Sequence, residues 1–132
     1  MVRKLVILVG SNPSTSSPDC SAFHPDTKSR KALDGWLEGI DAEFKYVNIS
    51  DSKLASNRPL NNVEIQNHLE SLKVKIADGE KVIAVGNTAD KALNVLKRDH
   101  VKVPHPSGRN RILNDSNEIV KIKEKLRNYI NG

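Results

Sequence analysis

Four runs of apolar residues along the chain predict β-strands. The runs at residues 4–9 and 81–85 are continuous in hydrophobic residues after the lysine that opens each, which is typical of strands that are buried on both faces of a sheet. The run at residues 44–49 mixes apolar with polar residues, and the run at 100–103 is short. We therefore expect a sheet whose most apolar strands are covered on both sides.

The segments between and after these runs carry apolar residues three and four positions apart, a spacing that predicts amphipathic helices. Asp26 or Thr27 is a candidate N-cap of the first helix, and Gly79 is a candidate C-cap of the second. Asp115 and Glu118 have the spacing of a capping box at the start of the last helix. The predicted helices span residues 26–40, 62–77, 88–96 and 116–130.

The alternation of strands and helices predicts the fold class. An alternating β-α order calls for a parallel sheet with helices on both faces, which is a three-layer α/β/α sandwich. The chain contains no internal repeat or linker, so we expect a single domain over residues 1–132. Ligands of such sheets bind beyond the carboxyl ends of the strands. The candidate functional segments are therefore residues 10–26, 48–59 and 104–111.

Composition and charge exclude several classes of protein. No apolar run approaches the length of a membrane span, and the first ten residues lack the length and cleavage site of a secretory signal. The single cysteine, Cys20, excludes an internal disulfide and a multi-cysteine metal site, so we expect a cytoplasmic protein. The formal net charge of +5 is consistent with a polyanionic partner but does not identify one.

Polar segments at three of the predicted strand ends carry candidate chemistry. The stretch G-S-N-P at residues 10–13 places an amide beside a glycine, although Asn-Pro also begins ordinary turns. Asn48 can donate and accept at once, as reading the edge of a base requires, and an Asn capping a turn would look the same. The stretch H-P-S-G-R-N-R at residues 105–111 suits phosphate contacts, and it also suits a solvated loop.

Together these segments resemble the uracil-DNA glycosylase superfamily. The stretch G-S-N-P is similar to the G-x-N-P motif of the mismatch-specific and single-strand-selective branches, and H-P-S-G-R-N-R is similar to their N-P-S-G-L-S-R and H-P-S-P-R-N loops. Residues 57–65 and 81–93 look like the middle of the iron–sulfur branch, so the resemblance covers essentially the whole chain. It implies a four-stranded parallel sheet of order 2-1-3-4 between helical layers.

The resemblance implies hydrolysis of the N-glycosidic bond of uracil, or of a 5-substituted uracil, after the nucleotide has been flipped out of the DNA stack. Phe23 would stack against the flipped base, although a loop residue anchored in the core would look the same, and Asn48 would read the edge of the base. Ser14 stands where the most uracil-specific branch has a bulky residue, so we expect tolerance of a substituent at C5. The residues implied in base binding are Gly10, Ser11, Ser14, Phe23 and Asn48.

His105 and Asn12 are the implied catalytic residues. His105 would stabilise the negative charge that grows on the departing base. Asn12 would orient the attacking water, and it replaces the water-activating Asp of the most active branch, as in slower branches. The implied DNA-binding residues form one loop, in which Ser107 and Arg111 would bind phosphates and Arg109 would act as the wedge; they are Ser107, Gly108, Arg109, Asn110 and Arg111.

The resemblance implies DNA as the partner, either single-stranded or as a duplex with a flipped base. We expect no cofactor and no metal, because the iron–sulfur cysteines are absent and the histidines lie far apart in sequence. We also expect no membrane association and a monomer. His24 and His68 are interpreted as surface or capping residues. Lys28 and Arg30 would either extend the basic track or form a solvated helix face, and we favour the solvated face.

Two other hypotheses stay open. The first is a non-catalytic DNA- or protein-binding module with the same fold, which release of a free base would exclude. The second is a hydrolase of free modified nucleotides, which predicts no salt-sensitive binding to DNA.

Overall fold

The computed structural model describes residues 4–12, 22–25, 27–50, 60–106 and 116–131. Over these ranges the chain alternates between strands and helices from beginning to end, as the apolar pattern predicts. The strands are β1 (Leu5–Gly10), β2 (Glu43–Asn48), β3 (Lys81–Val85) and β4 (Val101–Val103), and the helices are α1 (Lys28–Leu37), α2 (Asn62–Lys75), α3 (Asn87–Val95) and α4 (Ser116–Asn131).

The four strands form one parallel sheet in the order β2-β1-β3-β4. This confirms the order 2-1-3-4 that the family resemblance implies. The two continuous apolar runs, β1 and β3, occupy the centre of the sheet, where both faces of a strand are covered. Their placement explains why these two strands show no alternation of apolar and polar residues.

Helices cover both faces of the sheet, and each face has its own apolar core. Side chains that alternate along a strand point to opposite faces, so Ile7 and Val9 pack with α2 and α3 while Val6 and Leu8 pack with α1 and α4. The fold is therefore the predicted α/β sandwich. Within the described ranges, no helix is both long enough and apolar enough to cross a membrane.

Side-chain caps fix where two of the helices begin. The hydroxyl of Thr27 accepts a hydrogen bond from the backbone N–H of Arg30 at 3.3 Å, so Thr27 is the N-cap of α1, one of the two predicted candidates. Asn61 and Glu64 form a reciprocal capping box at the start of α2, with distances of 2.9 and 3.0 Å. These bonds satisfy backbone donors that have no partner within the helix.

The predicted C-cap at Gly79 is wrong, because α2 is capped earlier, at Ile76. Gly79 instead makes room for the core: a Cβ at this position would lie 2.6 Å from Cδ1 of Ile7. The glycine is thus needed for packing rather than for a left-handed helix end. The predicted capping residue of α4, Asp115, lies outside the described residues, as does Asp26.

Candidate functional site

The carboxyl ends of β1 and β2 lie side by side and carry two of the predicted site residues. Gly10 pairs with Asn48 in the register of the two strands. The pairing continues past the strand ends, where the N–H of Ile49 donates to the carbonyl of Gly10 and the N–H of Ser50 donates to that of Ser11, both at 3.0 Å. The register therefore holds the two polar strand ends together.

Phe23 joins this pair, so three predicted base-binding residues come into close contact. A Cβ placed on Gly10 would lie 2.6 Å from Oδ1 of Asn48 and 2.7 and 2.8 Å from two carbons of the Phe23 ring. Real Cβ atoms do not approach other atoms so closely. Gly10 is therefore required here because the amide and the aromatic ring both pass directly over its backbone.

The Asn48 side chain is buried at this junction. The residue is 3% exposed, and its backbone carbonyl accepts a hydrogen bond from Nζ of Lys75 at 2.9 Å. No described residue forms a hydrogen bond with its side-chain amide. Buried amides are almost always paired, and leaving one without a partner costs about 1–3 kcal/mol. A buried polar group without a partner needs an explanation, and a ligand that pairs with it would supply one.

His105 approaches the same cluster from the other side of β1. It follows β4, and its ring centroid lies 6.2 Å from that of Phe23, with the two planes tilted by 36°. The residue as a whole is exposed to solvent, while partial burial of the ring lowers the pKa of His105 from its usual value near 6.5. Burial therefore favours the neutral form of the imidazole.

Gly86 sets the position of His105. Gly86 is the N-cap of α3, with a positive φ of 93°, and its N–H donates to the carbonyl of Val103, the last residue of β4, at 2.9 Å. A Cβ on Gly86 would lie 3.3 Å from Cβ of His105. Because Gly86 has no side chain, His105, two residues after β4, can lie close to the turn after β3.

Ser11 and Asn12 extend from β1 at the same edge of the sheet. The hydroxyl of Ser11 accepts a hydrogen bond from the backbone N–H of Leu60 at 3.2 Å, which ties the end of β1 to the start of α2. Asn12 is partly buried two residues beyond β1. Both residues are positioned at the candidate site, and their base-binding and catalytic roles remain predictions.

Six predicted site residues lie outside the described residues. One follows β1 and the others belong to the predicted DNA-binding loop after β4. They are Ser14, Ser107, Gly108, Arg109, Asn110 and Arg111.

One contact beside the site was not predicted from the sequence. Arg30, interpreted above as part of a solvated helix face, points back to the site and donates from Nη1 to the backbone carbonyl of Phe23 at 3.1 Å. It also forms an ion pair with Asp34 at 2.9 Å, and its guanidinium carbon lies 3.8 Å from the centre of the Tyr46 ring. The i,i+4 spacing of Arg30 and Asp34 was the signal available in the sequence.

A second polar pair lies away from this edge. Nε2 of His100 is 2.7 Å from Oδ1 of Asp90, and Nδ1 is 2.8 Å from the carbonyl of Arg98. His100 precedes β4, whereas His105 follows it, so the pair ties α3 to the opposite end of that strand. The described residues contain no cluster of His, Cys, Asp or Glu that could hold a metal ion.

The geometry agrees with the comparison to protein families. The model of the Uracil DNA glycosylase superfamily matches residues 3–127, which is nearly the whole chain. No curated protein sequence matches the chain with significance. The matched range includes all four strands and every residue of the candidate site.

Proposed function

Because the chain belongs to the Uracil DNA glycosylase superfamily, we propose that it hydrolyses the N-glycosidic bond of uracil, or of a 5-substituted uracil, in DNA. The observation that carries the proposal is the buried Asn48 amide, which has no hydrogen-bonding partner among the described residues and lies, like the Phe23 ring, close over Gly10 at a strand end. A polar amide near an aromatic ring is suited to binding a flat heterocycle such as a nucleobase.

Asn48 would select the base through its two polar atoms. The amide oxygen would accept from N3–H of uracil, and the amide nitrogen would donate to O4. Cytosine has an acceptor at N3 and a donor at C4, so it would leave both buried groups unpaired. Sites built to pair with a substrate in this way discriminate strongly against analogues that cannot.

Phe23 would hold the base by stacking. The target nucleotide has to leave the DNA stack before its glycosidic bond can be reached, which costs stacking free energy. Stacking on an aromatic ring contributes about 1–3 kcal/mol per base and so offsets part of that cost. The close approach of both Phe23 and Asn48 to Gly10 supports this role, since it brings the aromatic ring near the amide that would read the base edge.

His105 would act on the leaving group. As the glycosidic bond breaks, negative charge accumulates on the base, and a preorganised N–H donor stabilises that charge. The lowered pKa of His105 supports a neutral imidazole that donates from one ring nitrogen. Asn12 would orient the water that captures the sugar, because an amide is a poor general base and acts by positioning.

The finer parts of the proposal rest on residues outside the described ranges. Ser14 would leave room for a substituent at C5 of the base. Ser107 and Arg111 would hold the flanking phosphates, and Arg109 would fill the gap left by the flipped base. A loop of this kind makes binding to DNA weaken steeply as salt is raised.

The test is release of free base from a labelled single-stranded oligonucleotide that contains uracil or a 5-substituted uracil. We expect release by the wild type and a loss of about 100-fold or more in His105→Ala, with a smaller loss in Asn12→Ala. His68→Ala, a histidine on α2, is the matched control and should release base normally. Failure of the wild type on every substrate, with DNA still bound, would contradict the proposal and leave a binding module.

A further inference from the structure

Phe23 has a backbone conformation that needs external support. Its φ is 49°, in the left-handed region, which costs about 1–2 kcal/mol for a residue with a side chain and is unusual for a bulky one. Phe23 also has the ring that contacts Gly10, Asn48 and His105. A relaxation of this backbone would move the ring relative to the amide.

Arg30 contacts the strained residue directly. Its Nη1 donates to the carbonyl of Phe23 at 3.1 Å, so the hydrogen bond acts on the strained backbone itself. The side chain of Arg30 is 23% exposed. The backbone of Arg30 is fixed in the first turn of α1, where its N–H donates to the hydroxyl of the N-cap Thr27. The guanidinium therefore reaches Phe23 from a rigid element.

Asp34 and Tyr46 complete a closed set of contacts around the guanidinium. Nε of Arg30 donates to Oδ1 of Asp34 at 2.9 Å, and the Tyr46 hydroxyl donates to the same oxygen at 3.2 Å. The guanidinium stacks over the Tyr46 ring, whose centroid is 6.0 Å from that of Phe23, with the planes at 60°. We call these four residues, Phe23, Arg30, Asp34 and Tyr46, the Phe23 bracket.

We propose that Arg30 is a positioning residue, which holds the Phe23 ring at the angle needed to stack a flipped base beside Asn48; the inference rests on the proposed function. Arginine is required for this because its planar group offers two donors and a flat face at once, whereas lysine offers a point charge. In the bracket, two of the five N–H donors of Arg30 and one face of its guanidinium are used within the protein.

The competing role for a basic residue beside this site is contact with a DNA phosphate. Charge and geometry can be separated by three variants. Arg30→Ala removes the bracket and the charge, Arg30→Lys removes the planar group but keeps the charge, and Lys31→Ala removes one charge from the next, exposed position of α1. Lys31→Ala is therefore the matched control for lost charge.

The first readout is single-turnover base release beside DNA affinity, measured by fluorescence anisotropy. We expect release by Arg30→Ala to fall about tenfold or more, because a shift of under 1 Å in a positioning group has effects of this size, while DNA affinity stays within about twofold of that of Lys31→Ala. Arg30→Lys should remain impaired. Full rescue by Arg30→Lys, or a loss confined to DNA affinity, would overturn the inference.

The second readout does not depend on activity. In the wild type, nuclear Overhauser effects should connect the Phe23 ring with the α-protons of Gly10 and with the His105 ring. Loss of these effects in Arg30→Ala, with the amide spectrum of a folded protein, would support the inference, and their retention would overturn it. A wild type that releases no base but shows the effects would contradict the proposed function alone.

Asp34→Asn provides a second variant should Arg30→Ala fold poorly. The Asp34 side chain is 54% exposed, so its replacement leaves the core intact, yet it weakens the ion pair that orients Arg30. We expect reduced base release in the same direction as Arg30→Ala, and weaker contacts of the Phe23 ring with Gly10. An Asp34→Asn variant unchanged in both would count against the bracket.

Discussion

Gly10→Ala tests whether the crowded junction at the end of β1 is the base-binding site. The added Cβ would lie 2.6 Å from Oδ1 of Asn48 and 2.7 and 2.8 Å from the Phe23 ring, whereas ordinary contacts begin near 3.4 Å. The two side chains must therefore move by about 0.6–0.8 Å, and they are the two groups proposed to hold the base.

The effects on stability and activity should differ in size. Overpacking of this kind costs about 1–3 kcal/mol, which lowers the melting temperature by about 4 °C for each kcal/mol in a domain of this length. A displacement approaching 1 Å in a positioning group can cost about 100-fold in rate. We therefore expect a folded variant with base release reduced roughly tenfold to 100-fold.

Gly35→Ala is the matched control for Gly10→Ala. A Cβ on Gly35 meets nothing within 4 Å, and alanine is favoured over glycine in a helix by about 1 kcal/mol. This variant should be as stable as the wild type or more so, with unchanged release. The measurements are thermal unfolding and single-turnover base release of both variants. Release by Gly10→Ala equal to that of Gly35→Ala would refute the assignment of the site.

Three further predictions follow from the same contacts. Gly86→Ala and Gly39→Ala both place a side chain at positive φ and should each lose about 1–2 kcal/mol in thermal unfolding, but only Gly86→Ala, whose Cβ would press on His105, should lose base release. The lowered pKa of His105 means that the unfolded chain takes up a proton near pH 6.5 before the folded protein does. The contribution of neutral His105 to stability is therefore complete above pH 6.5 and is lost as the pH falls towards the pKa of His105 in the folded protein. The melting temperature should accordingly fall less on acidification in His105→Asn than in the wild type. Burial raises the pKa of Tyr46 to about 12, so its stabilising effect is present below pH 10 and is lost as the pH rises towards 12; the ultraviolet titration of the wild type should contain a step near pH 12 that Tyr46→Phe lacks.

The sheet and the pairing at the site could be predicted from the sequence because they depend on local pattern. Continuous apolar runs identify β1 and β3 as buried strands, and in parallel strands the polar residues after each end gather at one edge. Gly10 and Asn48 meet for that reason. The predicted second strand was displaced by one residue, 44–49 against Glu43–Asn48, because the apolar pattern does not fix the last paired residue.

The Phe23 bracket could not be predicted in the same way. Arg30 and Asp34 show helical spacing, but the contact of Arg30 with Phe23 depends on a left-handed backbone, and the stacking on Tyr46 depends on how β2 packs against α1. Both contacts depend on tertiary structure, which local sequence patterns do not determine. The error at Gly79 has the same origin, since a glycine that ends a helix and a glycine that makes room for Ile7 look identical in sequence.

The role of Asn48 is tested by measuring both the melting temperature and the base release of Asn48→Leu. Leucine has the same branching as asparagine, with methyl groups in place of the two polar atoms, so it removes a buried amide that has no described partner. Removing such a group relieves about 1–3 kcal/mol, which offsets the cost of the larger volume of leucine. We predict an equal or higher melting temperature together with loss of uracil release, because the base edge would then face an apolar group. A marked fall in stability with release retained would show that Asn48 serves the fold, and would contradict the account.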